Sequence, residues 1–164
     1  MKSKIHELQN QYSSVSKAKV NEIKISYREK VTTLKSDPIK SSKLAAKLLY
    51  NNWDEGTIGL QESFKILLLN NSNKVKGVYP LSVGGITGTL VDIRILFAIV
   101  LKTLSVGILL AHNHPSYKLE PSEADKRLTR KIKEAAQLFD VKVLDHIIIV
   151  PNGDYYSFAD NGLL

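Results

Sequence analysis

The sequence contains no cysteine. That absence excludes disulfides, zinc fingers, iron–sulfur ligation, a cysteine nucleophile and the cysteine-ligated zinc deaminases. Long apolar runs are missing too. A membrane span needs about 18 consecutive apolar residues, whereas stretches such as 106–111 and 147–150 are strand-sized. The first twenty residues (MKSKIHELQNQYSSVSKAKV) lack the apolar core of a signal peptide. The expectation is a cytoplasmic protein with no membrane partner. Repeats and low-complexity tracts are also absent. What remains is globular in character: 43% hydrophobic and 24% charged residues in 164, the size of one ordinary domain.

Acidic residues are scarce in the first third. Residues 1–50 hold eleven Lys or Arg against four Asp or Glu, while residues 51–164 hold twelve of each. The whole net charge of +7 therefore belongs to the N-terminal third. A basic arm can hold nucleic acid weakly and without sequence preference, by releasing counterions from phosphates. It can also be a solvated surface. The dispersal of the lysines, with no block of five like charges, favours the second reading.

Residues 1–19 are polar, lysine-rich and aperiodic, and are expected to form a flexible arm ahead of a domain over 20–164. Alternation at Ile23, Ile25 and Tyr27 predicts a strand over 20–28. Ser41 or Ser42 caps a helix running to residue 50. The segment ESFKILLL (62–69) reads as a buried strand, with 74–82 as its hairpin partner. Gly84, Gly85 and Gly88 allow a tight chain path beside a cleft. A helix over 90–104 is expected to bury Val91, Ile95, Ala98 and Ile99. A strand at 106–111 precedes an amphipathic helix at 121–139, with Leu128, Ile132, Ala135, Ala136 and Phe139 inward. Strands at 141–150 and 155–158 follow. This order predicts an α/β (α+β) domain, with a mixed central sheet flanked by helices.

The chemistry concentrates in His112-Asn113-His114 and, after ten intervening residues, Asp125. Two histidines two apart at a strand end project from one face. Asp125 falls in the first turn of the next helix, where a strand–loop–helix corner can return it to the histidines. Two imidazoles and a carboxylate suit a catalytic Zn²⁺ with one open position. A plainer reading stands beside it. Ser122-Glu123-Ala124-Asp125 also fits a capping box, in which Asp125 serves its own helix. The two roles compete for one carboxylate.

His-x-His, seven residues, Ser, two residues, Asp resembles the JAB/MPN+ (JAMM) metalloprotease motif, as His112, His114, Ser122 and Asp125. Glu62, opening ESFKILLLN, looks like the upstream glutamate of that motif. The chain is closer still to the RadC-like branch, through LQESFKILLLNNSNKV, GGITGTLVDIR, GILLAHNHPS, PSEADKRLT, VKVLDHIIIV and YYSFADNGLL. The resemblance covers roughly residues 20–164. It implies a JAB/MPN fold of cytidine-deaminase-like architecture. It implies Zn²⁺ on His112, His114 and Asp125, Glu62 as general base toward an activated water, and Ser122 as hydrogen-bond donor to the oxyanion. The implied substrate is a peptide or isopeptide-bonded protein. Longer RadC-like proteins carry an N-terminal helix-hairpin-helix DNA-binding domain, for which these 164 residues have no room. Many relatives have Gly where this chain has Tyr117, and Tyr tolerates positive φ poorly. The loop over the metal is therefore expected to differ in shape.

Glu62 without the motif would be an exposed carboxylate at a strand end. Asp145-His146 could orient a ligand, though a half-buried histidine in an apolar strand is the commoner case. Trp53 with Leu49 and Tyr50 reads as a core cluster. The functional alternative to a hydrolase is a DNA-associated accessory protein without peptidase activity. It rests on the basic N-terminal third and on the DNA-repair label of the RadC-like branch.

Overall fold

The computed structural model describes residues 37–164. The predicted arm at 1–19 and strand at 20–28 lie outside the described residues.

The element order is α1 (Ser42–Asn51), β1 (Ser63–Leu69), β2 (Val75–Val83), α2 (Ile93–Lys102), β3 (Gly107–Asn113), α3 (Glu123–Gln137), β4 (Lys142–Ile149) and β5 (Tyr155–Ser157). The five strands form one mixed sheet in the order β2-β1-β3-β4-β5. Three neighbouring pairs are antiparallel; β3 and β4 are parallel, joined by the α3 crossover. This is the expected α/β architecture with a mixed central sheet. No described helix is long and apolar enough to cross a membrane.

Alternation along the strands builds two cores. Phe64, Ile66, Leu68, Ile108, Leu110 and Val143 pack under α2 and α3, against Leu96, Phe97, Val100, Ile132 and Ala136. Leu67, Leu69, Leu109, Ala111, Ile147 and Ile149 face the other way, onto Ala45, Ala46 and Leu49 of α1, with Trp53 and Ile58. Helices cover both faces, so β3 is buried at all seven positions. A central strand of this kind reads as a continuous apolar run, and its two polar residues stand out.

The helices begin at side-chain caps. Ser41 accepts from the Leu44 N–H, and Asp92 from the Arg94 N–H, each satisfying a donor that the first turn leaves open. The inward face of α2 differs from the expected one. Leu96, Phe97 and Val100 are buried, whereas Ile95 is 48% exposed. Ile93–Lys102 reads IRILFAIVLK, apolar nearly all round, so hydrophobic periodicity cannot select a face and packing on the sheet does. Phe139, placed inward from sequence, lies past the end of α3, 46% exposed, with its ring 5.2 Å from that of Phe97.

The glycine segment does make a tight path. A Cβ on Gly84 would lie 2.1 Å from the Gly88 carbonyl oxygen and 2.6 Å from Thr89 Cα. The Gly84 N–H donates to Glu62 O and the Glu62 N–H to Gly85 O, both at 2.8 Å. The hairpin end is thereby tied to the residue that opens β1.

Candidate metal centre

Successive strand residues point to opposite faces, and β3 uses both. His112 turns toward the α2/α3 side, stacked on Phe64 with ring centroids 6.1 Å apart and planes 4° from parallel. His114 lies one residue past the strand, its N–H donating to Ile149 O at 2.9 Å. Its ring comes back over His112, Nε2 to Nε2, at 2.9 Å. Asn113 points the other way and is fully buried. Its side-chain oxygen accepts from Ser63 N–H at 2.7 Å, while its amide donates to Ile58 O and Gln61 O at 2.7 and 2.9 Å. The residue between the histidines thus clamps the segment that carries Glu62.

Asp125, in the first turn of α3, completes the group. The capping box is present: Asp125 N–H donates to Ser122 Oγ at 3.1 Å, and Ser122 N–H and Oγ donate to Asp125 Oδ2 at 2.7 and 2.6 Å. The cap occupies Oδ2, and Oδ1, which the cap leaves unused, lies 3.5 Å from His112 Nε2. Ser122 lines the same cleft, and its one hydroxyl proton points to Asp125 Oδ2.

The ligand atoms of His112, His114 and Asp125 all lie within 4.8 Å of one another. Tetrahedral zinc with bonds of ~2.0–2.1 Å places its ligand atoms about 3.3 Å apart. Two of the three separations, 2.9 and 3.5 Å, lie on either side of that value, and His114 Nε2 stands further from the carboxylate, 4.0 Å from Asp125 Oδ2. The donor chemistry fits too. His114 Nδ1 is 2.7 Å from the Lys118 carbonyl, which can only accept, so Nδ1 carries a proton and Nε2 is the nitrogen turned to the cluster. Burial, the dominant influence, holds His112 neutral, its pKa pushed down to about 4 although Asp125 pulls it up. A neutral imidazole is what a divalent ion requires of a histidine ligand.

Glu62 lines the same cavity of about 280 Å³, with Phe64, Thr87, Gly88, Thr89, Lys118 and Glu120 among its walls. Partial burial raises the Glu62 pKa; His114 opposes this and the Asp125 charge adds to it. The five residues singled out from sequence, Glu62, His112, His114, Ser122 and Asp125, therefore meet in one cleft. Tyr117 adopts φ of 62°, so the loop takes the left-handed turn despite its side chain.

The sequence profile of the RadC-like JAB domain matches residues 39–163. The chain belongs to the RadC-like JAB domain family. Among relatives, a UPF0758 protein of Flavobacterium johnsoniae is 53% identical over 102 residues, 62% of this chain and 44% of that protein. One from Porphyromonas gingivalis is 44% identical over 104 residues, 63% of this chain and 46% of its own length. One from Aromatoleum aromaticum is 40% identical over 119 residues, 71% and 53% respectively. The chain thus spans about half the length of these curated relatives. Within the RadC-like JAB fold, three buried polar residues support the cluster, and of these the sequence singled out His146 alone. Asn113 and Thr129 are buried polar groups whose partners are distant in sequence. His146, expected to be half-buried, is wholly enclosed and sits 2.8 Å from His112 Nδ1. Asn113 and His146 carry a signal as polar residues inside apolar strands; Thr129, in the polar helix α3, carries none.

Proposed function

We propose that this RadC-like JAB domain is a zinc-dependent metallohydrolase acting on peptide or isopeptide bonds of a protein substrate in the cytoplasm. The observation that carries the reading is the convergence of three ligand atoms within 4.8 Å in a cavity that Glu62 also lines. His112, His114 and Asp125 would hold Zn²⁺, leaving one position open. Zinc bound there supplies Lewis acidity, polarising a scissile carbonyl and bringing the pKa of a water toward ~7.

The chain's own residues supply the rest. Glu62 takes a proton from the attacking water and returns it to the leaving amine; its raised pKa suits both directions of transfer. Asn113 and the Gly84–Gly85 backbone fix where that carboxylate stands. Ser122 donates to the developing oxyanion once its hydroxyl turns from Asp125 Oδ2. Phe64 and Thr87–Thr89 form walls of the cleft against which a substrate would lie.

The test is cleavage of a panel of peptide and isopeptide-linked substrates by the full chain. The reading expects turnover that a chelator abolishes, zinc restores and Glu62→Gln lacks. Cleavage indifferent to chelator and to Glu62→Gln would refute it.

A second reading, a DNA-associated accessory protein, is favoured by one observation: the excess charge of +7 confined to residues 1–50. It expects weak, sequence-blind DNA binding. Each phosphate contact adds roughly 0.9 to the slope of log affinity against log salt. Removal of residues 1–19 takes away four lysines and one glutamate. The slope should flatten while zinc binding stays as it was. An unchanged slope would remove the arm from any such role.

A further inference from the structure

Beneath the ligand cluster lies a short chain of buried polar groups. His112 Nδ1 is 2.8 Å from His146 Nε2. His146 Nδ1 is 2.6 Å from Thr129 Oγ1. Thr129 Oγ1 is 2.6 Å from the backbone carbonyl of Asp125, one turn earlier in α3. Every contact needs one proton, and the number of protons is fixed by chemistry.

The count starts at the carbonyl, which has no proton to give. The Thr129 hydroxyl must therefore donate to Asp125 O, for two bare oxygens at 2.6 Å would repel. Having spent its one proton, Thr129 can only accept from His146. His146 thus carries its proton on Nδ1, and its Nε2 is a bare lone pair. The contact with His112 then needs a proton from the other side, so His112 carries its own on Nδ1. Its Nε2 is left bare. His114 independently holds a proton on Nδ1, facing the Lys118 carbonyl at 2.7 Å. Both rings of the inner pair are enclosed, His112 at 2% and His146 at 0% exposure, and with one proton per ring this is the one pattern that pairs all three contacts. His112 Nε2 and His114 Nε2 face each other at 2.9 Å, with Asp125 Oδ1 3.5 Å from the former. A metal ion placed there would be offered both nitrogens.

We infer that Thr129 and His146 act together as positioning residues, fixing His112 in the Nδ1–H tautomer so that its Nε2 is presented to a metal ion. The inference rests on the zinc reading for its purpose, and on the hydrogen-bond geometry for its content. It has a further consequence: Thr129 is anchored on the backbone of Asp125. The tautomer of one ligand is thereby referenced to the helix turn that carries another.

The test uses the metal-free full chain with labelled imidazoles in mildly alkaline buffer. Long-range proton–nitrogen spectra report which ring nitrogen bears hydrogen. His112, His114 and His146 should all be Nδ1–H. Thr129→Val keeps the shape and removes the hydroxyl. It should turn His146 and then His112 toward Nε2–H, leave His114 unchanged, and weaken zinc binding about 10–100-fold. Thr129→Ser should restore both readouts, which a merely space-filling role would not require. An Nε2–H tautomer for His112 in the unaltered chain would overturn the inference. So would Thr129→Val with tautomers and zinc affinity unchanged. Should Thr129→Val fail to fold, the spectrum of the unaltered chain decides alone. A chain that took up no zinc would defeat the metallohydrolase reading, yet its tautomers would still decide this one.

Discussion

Replacing Gly84 with alanine adds one methyl group where the fold has no room for it. The new Cβ would stand 2.1 Å from the Gly88 carbonyl oxygen, 2.6 Å from Thr89 Cα and 2.7 Å from Thr89 Cβ. Ordinary contacts of this kind lie near 3.5–4.0 Å. Two of the three obstructing atoms are backbone, so no rotamer change resolves the clash, and the 84–89 segment must move by more than an ångström. That movement strains three hydrogen bonds: Gly85 N–H to Gly88 O at 3.0 Å, and the two 2.8 Å bonds between Glu62 and Gly84–Gly85. Overpacking of this type costs about 1–3 kcal/mol, and each weakened bond adds up to about 1 kcal/mol. The expected destabilisation of Gly84→Ala is about 2–4 kcal/mol, read by urea denaturation of the metal-free protein. Gly85→Ala and Gly88→Ala serve as controls. An added Cβ at either meets nothing within 4 Å, and neither backbone is left-handed. These two should be neutral or stabilised by up to about 0.5 kcal/mol through the unfolded chain. The displaced segment carries Thr87–Thr89 and holds Glu62, but no proposed ligand. Zinc affinity of folded Gly84→Ala should therefore change little while turnover falls. Equal stability of all three variants would refute the packing argument and the placement of Glu62 built on it.

Glu62→Gln should retain zinc and lose turnover by ~10²–10⁴-fold, the usual contribution of a general base; zinc loss equal to that of Asp125→Asn would mean that Glu62 is a ligand. The metal-free protein should lose stability as pH falls from about 6.5 toward 4. His112 titrates near 4 when folded and near 6.5 when unfolded, so the unfolded chain binds more protons in that window. His146, also held down by burial, acts in the same direction, and the raised carboxyl pKa values of Glu62 and Asp145 offset part of the loss. A flat denaturation midpoint across that window would contradict it. Tyr117→Gly should gain about 0.5 kcal/mol. Relief of about 1–2 kcal/mol of left-handed strain outweighs the added chain entropy of glycine, and a side chain 58% exposed gives up little packing. A loss above 1 kcal/mol in thermal or chemical unfolding would show that the tyrosine is held by contacts of greater worth.

How much of this was legible in the residues depended on whether a local pattern decided the matter. The hairpin of β1 and β2, the buried β3 and the capped α3 each carry their own signal: alternation, a continuous apolar run, a capping box. The inward face of α2 does not, because a helix apolar on every side offers the sheet several choices and only packing selects among them. His112, His114, Ser122 and Asp125 stand in one spacing, and Glu62 opens a recognisable strand. Their meeting in one cleft follows from the antiparallel pairing of β1 with β3 and the return of α3 over the sheet. The outer groups are different. Asn113, Thr129 and His146 act through partners between 4 and 55 residues away. Nothing local distinguishes a polar residue that clamps a distant loop from one that merely satisfies itself. The opposed roles expected for Asp125 could not be weighed from the sequence: the cap takes Oδ2 and leaves Oδ1 facing His112, and a linear sequence does not show which way each oxygen faces.

The central claim is that His112, His114 and Asp125 form one zinc site. Its most direct test is a zinc titration of the full chain against a competing chelator, read as stoichiometry and affinity. The account predicts one ion per chain, lost in His112→Ala and His114→Ala and weakened in Asp125→Asn. An unaltered chain that takes up no zinc, or one whose uptake is indifferent to all three substitutions, would contradict it.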